Sequence, residues 1–138
     1  MMRSGGLVLL GCFVATVVAG CNGHAQTVAE NRSDRIVIVH ATNFSTGVYV
    51  ALIPGATAVV DAGPRHPVPA AQAIFILGMD CVVQAEVTGD FSQGGVVTVQ
   101  ADGSATFSPG RQVLEAPWAG RDELGYTSCA DAVGAATN

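Results

Sequence analysis

Residues 96–107 read VVTVQADGSATF, and the way this stretch pairs with itself decides the fold class. A two-residue loop of Asp102-Gly103 sets Phe107 opposite Thr98 and mixes apolar with polar side chains along each face. A three-residue loop of Ala101-Asp102-Gly103 pairs Gln100 with Ser104, Val99 with Ala105, Thr98 with Thr106 and Val97 with Phe107. That register collects the apolar side chains on one face and puts Gly103 where a left-handed residue closes the turn. The sequence therefore predicts a β-hairpin with a three-residue loop, one face of which is buried.

The same logic extends in both directions. In RIVIVHAT (35–42), Ile36 and Ile38 alternate with Val37 and Val39, so both faces are apolar and the strand is covered on both sides. NFSTG (43–47) supplies turn residues and VYVALI (48–53) returns as a strand. Pro54-Gly55 ends that strand, and ATAVV (56–60) is read as the next. DAGPRHPVPAAQ (61–72) holds three prolines, a density that strands and helices exclude, so it is read as a long surface connection. AIFIL (73–77) is a further buried strand. In CVVQAEVTG (81–89), Cys81, Val83, Ala85 and Val87 alternate with Val82, Gln84, Glu86 and Thr88, which predicts an inward-facing Cys81 on a strand with one wet face. RQVLEAP (111–117) is read as a last strand. Ser128 followed by Asp131 matches a capping box and predicts a short helix over SCADAVGAA (128–136), weakened by Gly134. Short strands separated by turn signals, without a long helix, predict a small antiparallel β-sandwich of immunoglobulin-like kind, with a small closed β-barrel as the alternative.

The N-terminus is of another kind. MMRSGG carries one positive charge, LVLLGCFVATVV (7–18) is apolar, and small residues follow. This is the order of an export signal, and the run is too short for a permanent span. Val18-Ala19-Gly20-Cys21 resembles the lipobox of bacterial lipoproteins. The resemblance covers residues 1–21 only, and it implies cleavage between Gly20 and Cys21 with a diacylglyceryl group on the Cys21 sulfur. One acyl chain gives marginal attachment, whereas two or three palmitate-length chains hold a protein on a membrane stably. The implied location is the cell membrane or outer membrane, with the domain on the non-cytoplasmic side and the membrane as a partner through the lipid. The chain then divides into a signal peptide (1–20), a flexible tether (21–34) and one β-domain (35–138). The thirteen flexible residues after Cys21, 22–34, have a root-mean-square reach of about 20 Å.

Cys12 leaves with the signal, so Cys81 and Cys129 remain in an exported chain. That compartment and the absence of any C-x-x-C predict one structural disulfide between them. It closes a loop of 49 residues, which the chain-entropy estimate values at about 4 kcal/mol. Residues 21–138 keep five of the six arginines against eleven acids, so the mature charge is five minus eleven, or −6, with no lysine at all. Such a surface argues against nucleic acid and against charge-driven binding to anionic lipid.

Chemistry-bearing motifs are sparse. His24 falls in the tether, His40 at a strand end and His66 among prolines. Met79 has no Cys–His pattern beside it, so neither a blue-copper nor a zinc ligand set is spelled out. No metal and no cofactor is therefore expected. The serine elbow is missing, since Asp90 rather than glycine stands two before Ser92, and there is no phosphate-binding glycine loop. Glu86, Asp90, Asp102, Asp122 and Glu123 are the acids available to a small hydrolase; near turns, acids more commonly serve solubility. What remains is recognition. PWAGRDELGY (117–126) brings together Trp118, Arg121 and Tyr126, types that dominate interface hot spots. The plainer reading of the same residues is packing, with Trp118 over the disulfide and Tyr126 at the core edge. The expectation is a lipid-anchored, non-catalytic envelope module contacting a protein or small ligand. A small envelope hydrolase and a structural component of an envelope assembly are the alternatives.

Overall fold

The computed structural model describes residues 26–42, 47–61, 71–110 and 125–138. These segments hold eight strands and one α-helix: β1 Thr27–Asn31, β2 Val37–Thr42, β3 Gly47–Leu52, β4 Thr57–Asp61, β5 Ala73–Leu77, β6 Val83–Val87, β7 Gly95–Val99, β8 Ala105–Pro109 and α1 Cys129–Thr137. The strands form two open four-stranded sheets, β4-β1-β7-β8 and β3-β2-β5-β6. Every pairing is antiparallel except β1 with β7. This is the small β-sandwich expected from the sequence, and neither sheet closes into a barrel. Its strand order is its own: β1 and β2 lie in opposite sheets, where a constant-type immunoglobulin sandwich keeps its first two strands together.

The hairpin at residues 96–107 has the register its side chains demand. Val97 pairs with Phe107, Thr98 with Thr106 and Val99 with Ala105. Gln100 N–H donates to Ser104 O at 2.8 Å, and Gly103 has a φ of +90°. Val97 and Val99 enter the core with Ala29 and Val60 of the same sheet, facing Val37, Val39, Leu52, Ile74 and Ile76 of the other. Phe91, in a single 3-10 turn Phe91–Gln93 before β7, closes this core by an edge-to-face contact with Phe107 at 4.8 Å. A side chain at Gly95 would run into that Phe107 ring.

The two-faced apolar pattern of β2 has its cause in the helix. Val37, Val39 and Ala41 point between the sheets, while Ile38 lies in a second cluster on the outer face with Leu77 and Ala132 of α1. The helix is capped as the Ser128–Asp131 pair predicts: Asp131 N–H donates to Ser128 Oγ at 3.1 Å.

Two expectations are corrected. Residues 21–34 are not tether throughout, because Thr27–Asn31 forms β1, an interior strand held between β4 and β7. The domain therefore includes residues 26–34 and does not start at residue 35. Cys81 does not face inward. It is exposed, with a φ of +64°, in a turn where its N–H donates to Gly78 O and Gly78 N–H donates to Val82 O. The turn takes Cys81 out of the strand alternation, so β6 starts two residues later. The pairing itself is as expected: Cys81 and Cys129 form a disulfide with Cα atoms 6.0 Å apart. It ties the start of α1 to the turn between β5 and β6, on the outer face. The expected strand at 111–117, the proline-rich connection at 62–70 and residues 21–25 lie outside the described residues.

Asn31 explains why so polar a segment as TVAEN is an interior strand. Its side chain is fully buried, and its amide donates to Arg35 O (2.8 Å) and Leu52 O (2.9 Å) while its Oδ1 accepts from Ser33 N–H (2.9 Å) and Ser33 Oγ (2.6 Å). Both amide protons and both lone pairs are thus used. Asn31→Ala removes the buried donor to Leu52 O and the buried acceptor of Ser33 N–H and should cost about 3 kcal/mol, while Ser33→Ala should cost about 1 kcal/mol. Chemical denaturation checks this, and an Asn31→Ala variant within experimental error of wild type contradicts it.

Candidate functional site

The outer face of the β3-β2-β5-β6 sheet carries the most chemically distinctive group of side chains among the described residues. Its register places Tyr49 opposite His40, His40 opposite Phe75, and Phe75 opposite Glu86. One row therefore crosses all four strands: Tyr49, His40, Phe75, Glu86. The His40 and Tyr49 rings stack with centroids 3.8 Å apart and planes 15° apart, and the Phe75 ring sits tilted at 6.2 Å from His40. The three rings are half-buried and Glu86 is exposed.

Local sequence makes the row possible. β3 begins with Gly47, and a Cβ there would lie 2.8 Å from His40 Nε2, so glycine leaves the imidazole its place. Tyr49 is held from behind as well. Its N–H donates to Tyr126 O and Tyr126 N–H donates back to Tyr49 O, both at 2.8 Å, which covers the free edge of β3 at this point. Tyr49 and Phe75 pack on one side against the cluster beneath α1, with Met79 and Cys129. Met79 is thus a packing residue here.

Burial is the cause of the shift at His40, whose pKa lies below its ordinary 6.5. At neutral pH the ring is an uncharged imidazole among aromatic faces. The row can stack on a planar or apolar group and offers a ring nitrogen and the Glu86 carboxylate as polar handles.

Of the acids named from sequence, Asp90 and Asp102 do not converge. Asp90 accepts from Ser92 Oγ and N–H and caps the 3-10 turn; Asp102 does the same with Ser104 in the hairpin loop. Hydrogen bonds from the serine hydroxyls, then from the backbone N–H groups, hold both carboxyls below the usual carboxylate range. Asp90 stands just before the start of β7 and Asp102 just beyond its end, at opposite ends of the sandwich. Among the described residues no three His, Cys, Asp or Glu side chains come together as a ligand set. Of the expected contact surface, Tyr126 is found at the β3 edge, 44% exposed. Trp118 and Arg121, like Asp122, Glu123, His24, His66 and Cys21, lie outside the described residues. The aromatic row escaped sequence reading because His40, Tyr49 and Phe75 meet only once the pairing of three strands is known.

The His40 shift fixes the sign of a pH effect. The unfolded chain binds this proton more readily than the folded one, so stability is complete above pH 6.5 and falls as the pH drops from there toward the folded-state value. His40→Phe keeps the stack and removes the titration. Between about pH 7 and pH 5 the wild-type melting temperature should fall more steeply than that of His40→Phe, and parallel slopes contradict the assignment. No protein-family model, no curated protein and no solved structure matches this chain.

Proposed function

We propose that this chain is an exported lipoprotein of a bacterial cell envelope, anchored through an acylated Cys21, whose β-sandwich acts by contact and not by catalysis. The observation that carries the reading is the Val18-Ala19-Gly20-Cys21 pattern, standing a few residues ahead of a domain stapled by the Cys81–Cys129 disulfide. Such a bridge persists in the oxidising spaces that an export signal leads to. The contact role draws on the aromatic row, whose Tyr49, His40 and Phe75 are carried on paired strands and backed by α1. Rigid rings on a rigid sheet lose little conformational entropy on binding, which favours recognition. The ligand class is a protein segment or small molecule with a planar or apolar group to stack. The separation of Asp90 from Asp102 gives the hydrolase alternative no paired carboxylates from these two acids.

The anchor is tested by Cys21→Ser in a bacterial host that processes lipoproteins. Wild type should sediment with membranes and carry the mass of a diacylglyceryl group on its N-terminal cysteine. The variant should appear in the soluble envelope fraction or retain its signal peptide. Membrane attachment unchanged by the substitution would sink the proposal.

A further inference from the structure

On the reading that Cys21 is acylated, the place where β1 begins sets how the domain stands on the membrane. Gln26 is fixed to the sandwich, since its carbonyl accepts from Gly95 N–H at 3.1 Å. Its neighbour Thr27 pairs with both Asp61 and Gly95. Only five peptide steps separate Cys21 from Gln26, a span of at most about 18 Å when fully extended. The twenty-ångström wandering tether expected from sequence is gone, because Thr27–Asn31 within it is an interior strand.

The sheet register tells which end of the molecule this short leash starts from. Thr27, Asp61, Gly95 and Pro109 lie together at one end of the β4-β1-β7-β8 sheet. Asn31, Thr57, Val99 and Ala105 lie at the other. The Asn31–Leu52 hydrogen bond places Leu52 at that second end too, and with it Val37, Leu77 and Val83 of the other sheet. Five-residue strands measure about 17 Å, and the turns extend the sandwich further. A leash of at most about 18 Å that starts at the first end is shorter than the sandwich with its turns, so it cannot stand the domain on its second end.

We propose that the end bearing Gln26, Asp61, Ser92 and Pro109 rests at the lipid headgroups, and that the turns at Pro54-Gly55, Asp80-Cys81 and Asp102-Gly103 face away from the membrane. The exposed apolar side chains agree with this placement. Ile53, Val82 and Val83 all belong to the outward end, each more than half exposed, and Tyr126 sits on the β3 edge. Among the described residues the membrane end shows no exposed large apolar side chain and carries the carboxylates of Asp61 and Asp90.

The test uses the full processed chain, nitrogen-labelled and reconstituted in phosphatidylcholine–phosphatidylglycerol nanodiscs containing a gadolinium-chelate headgroup lipid. Amide relaxation enhancement should be several-fold greater at Gln26, Ser92 and Gln93 than at Gly55, Val82 and Gly103. A long glycine–serine insert after Ala25 should erase the difference. Equal enhancement at the two ends, or the reverse order, on protein whose mass shows the acyl chains overturns the orientation alone. Protein without acyl chains on Cys21 overturns the anchor and the orientation with it.

Discussion

The sandwich hangs on one buried amide. Asn31 ends β1 in one sheet and hydrogen-bonds to Leu52 O, at the end of β3 in the other. Its second proton reaches Arg35 O, two residues before β2, and its oxygen holds Ser33. Its own backbone is tied to the turn between β3 and β4, with Asn31 N–H donating to Ala56 O and Gly55 N–H to Asn31 O. The end of β3, the turn after it and residues 33–35 therefore converge on one residue, and they fix where the chain leaves one sheet for the other. In so dry a place each of these groups is costly to leave unpaired, so the network permits one arrangement and disfavours its neighbours. The crossover at residues 32–36 places β1 and β2 in opposite sheets, and the strand order follows from that.

The second organising element is the C-terminal strap. Tyr126 adds to the edge of β3, Ser128 caps α1, and Cys129 bonds to Cys81 at the turn after β5. Ala132 then fills the outer cluster over Ile38 and Leu77. One sheet is thus apolar on its inner face and on the part of its outer face that lies beneath the helix. Beside the helix, where the cover stops, the Tyr49–His40–Phe75 row emerges. The half-buried rings are therefore a consequence of how far nine helical residues reach, and the same border lowers the basicity of His40.

Much of this was legible in the sequence, for reasons that can be named. The 96–107 hairpin could be registered because only one loop length gathers its apolar side chains, and β2 announced its two covered faces by alternating Val and Ile without a polar gap. The helix showed itself by its cap, and the disulfide by elimination. β1 was illegible because Thr27, Glu30 and Asn31 are polar and its burial depends on β4 and β7, strands far away in the chain. Hydrogen bonding by Asn31 adds to the burial of Val28 and Ala29 in holding it in the interior. Cys81 was misplaced because a left-handed turn interrupts an alternation that reads as unbroken. The aromatic row needed the register of three strands, and local pattern carries no information on that.

The claim on which the rest depends is that β1, locked by Asn31, is an integral strand of the domain and not part of a tether. It is tested most directly by comparing urea unfolding of a chain beginning at Gln26 with one beginning at Arg35, both with the disulfide formed. The account predicts one cooperative transition for the longer chain and loss of that transition for the shorter one, which lacks the strand between β4 and β7. Coincident transitions with equal midpoints would contradict it and return residues 26–34 to the tether.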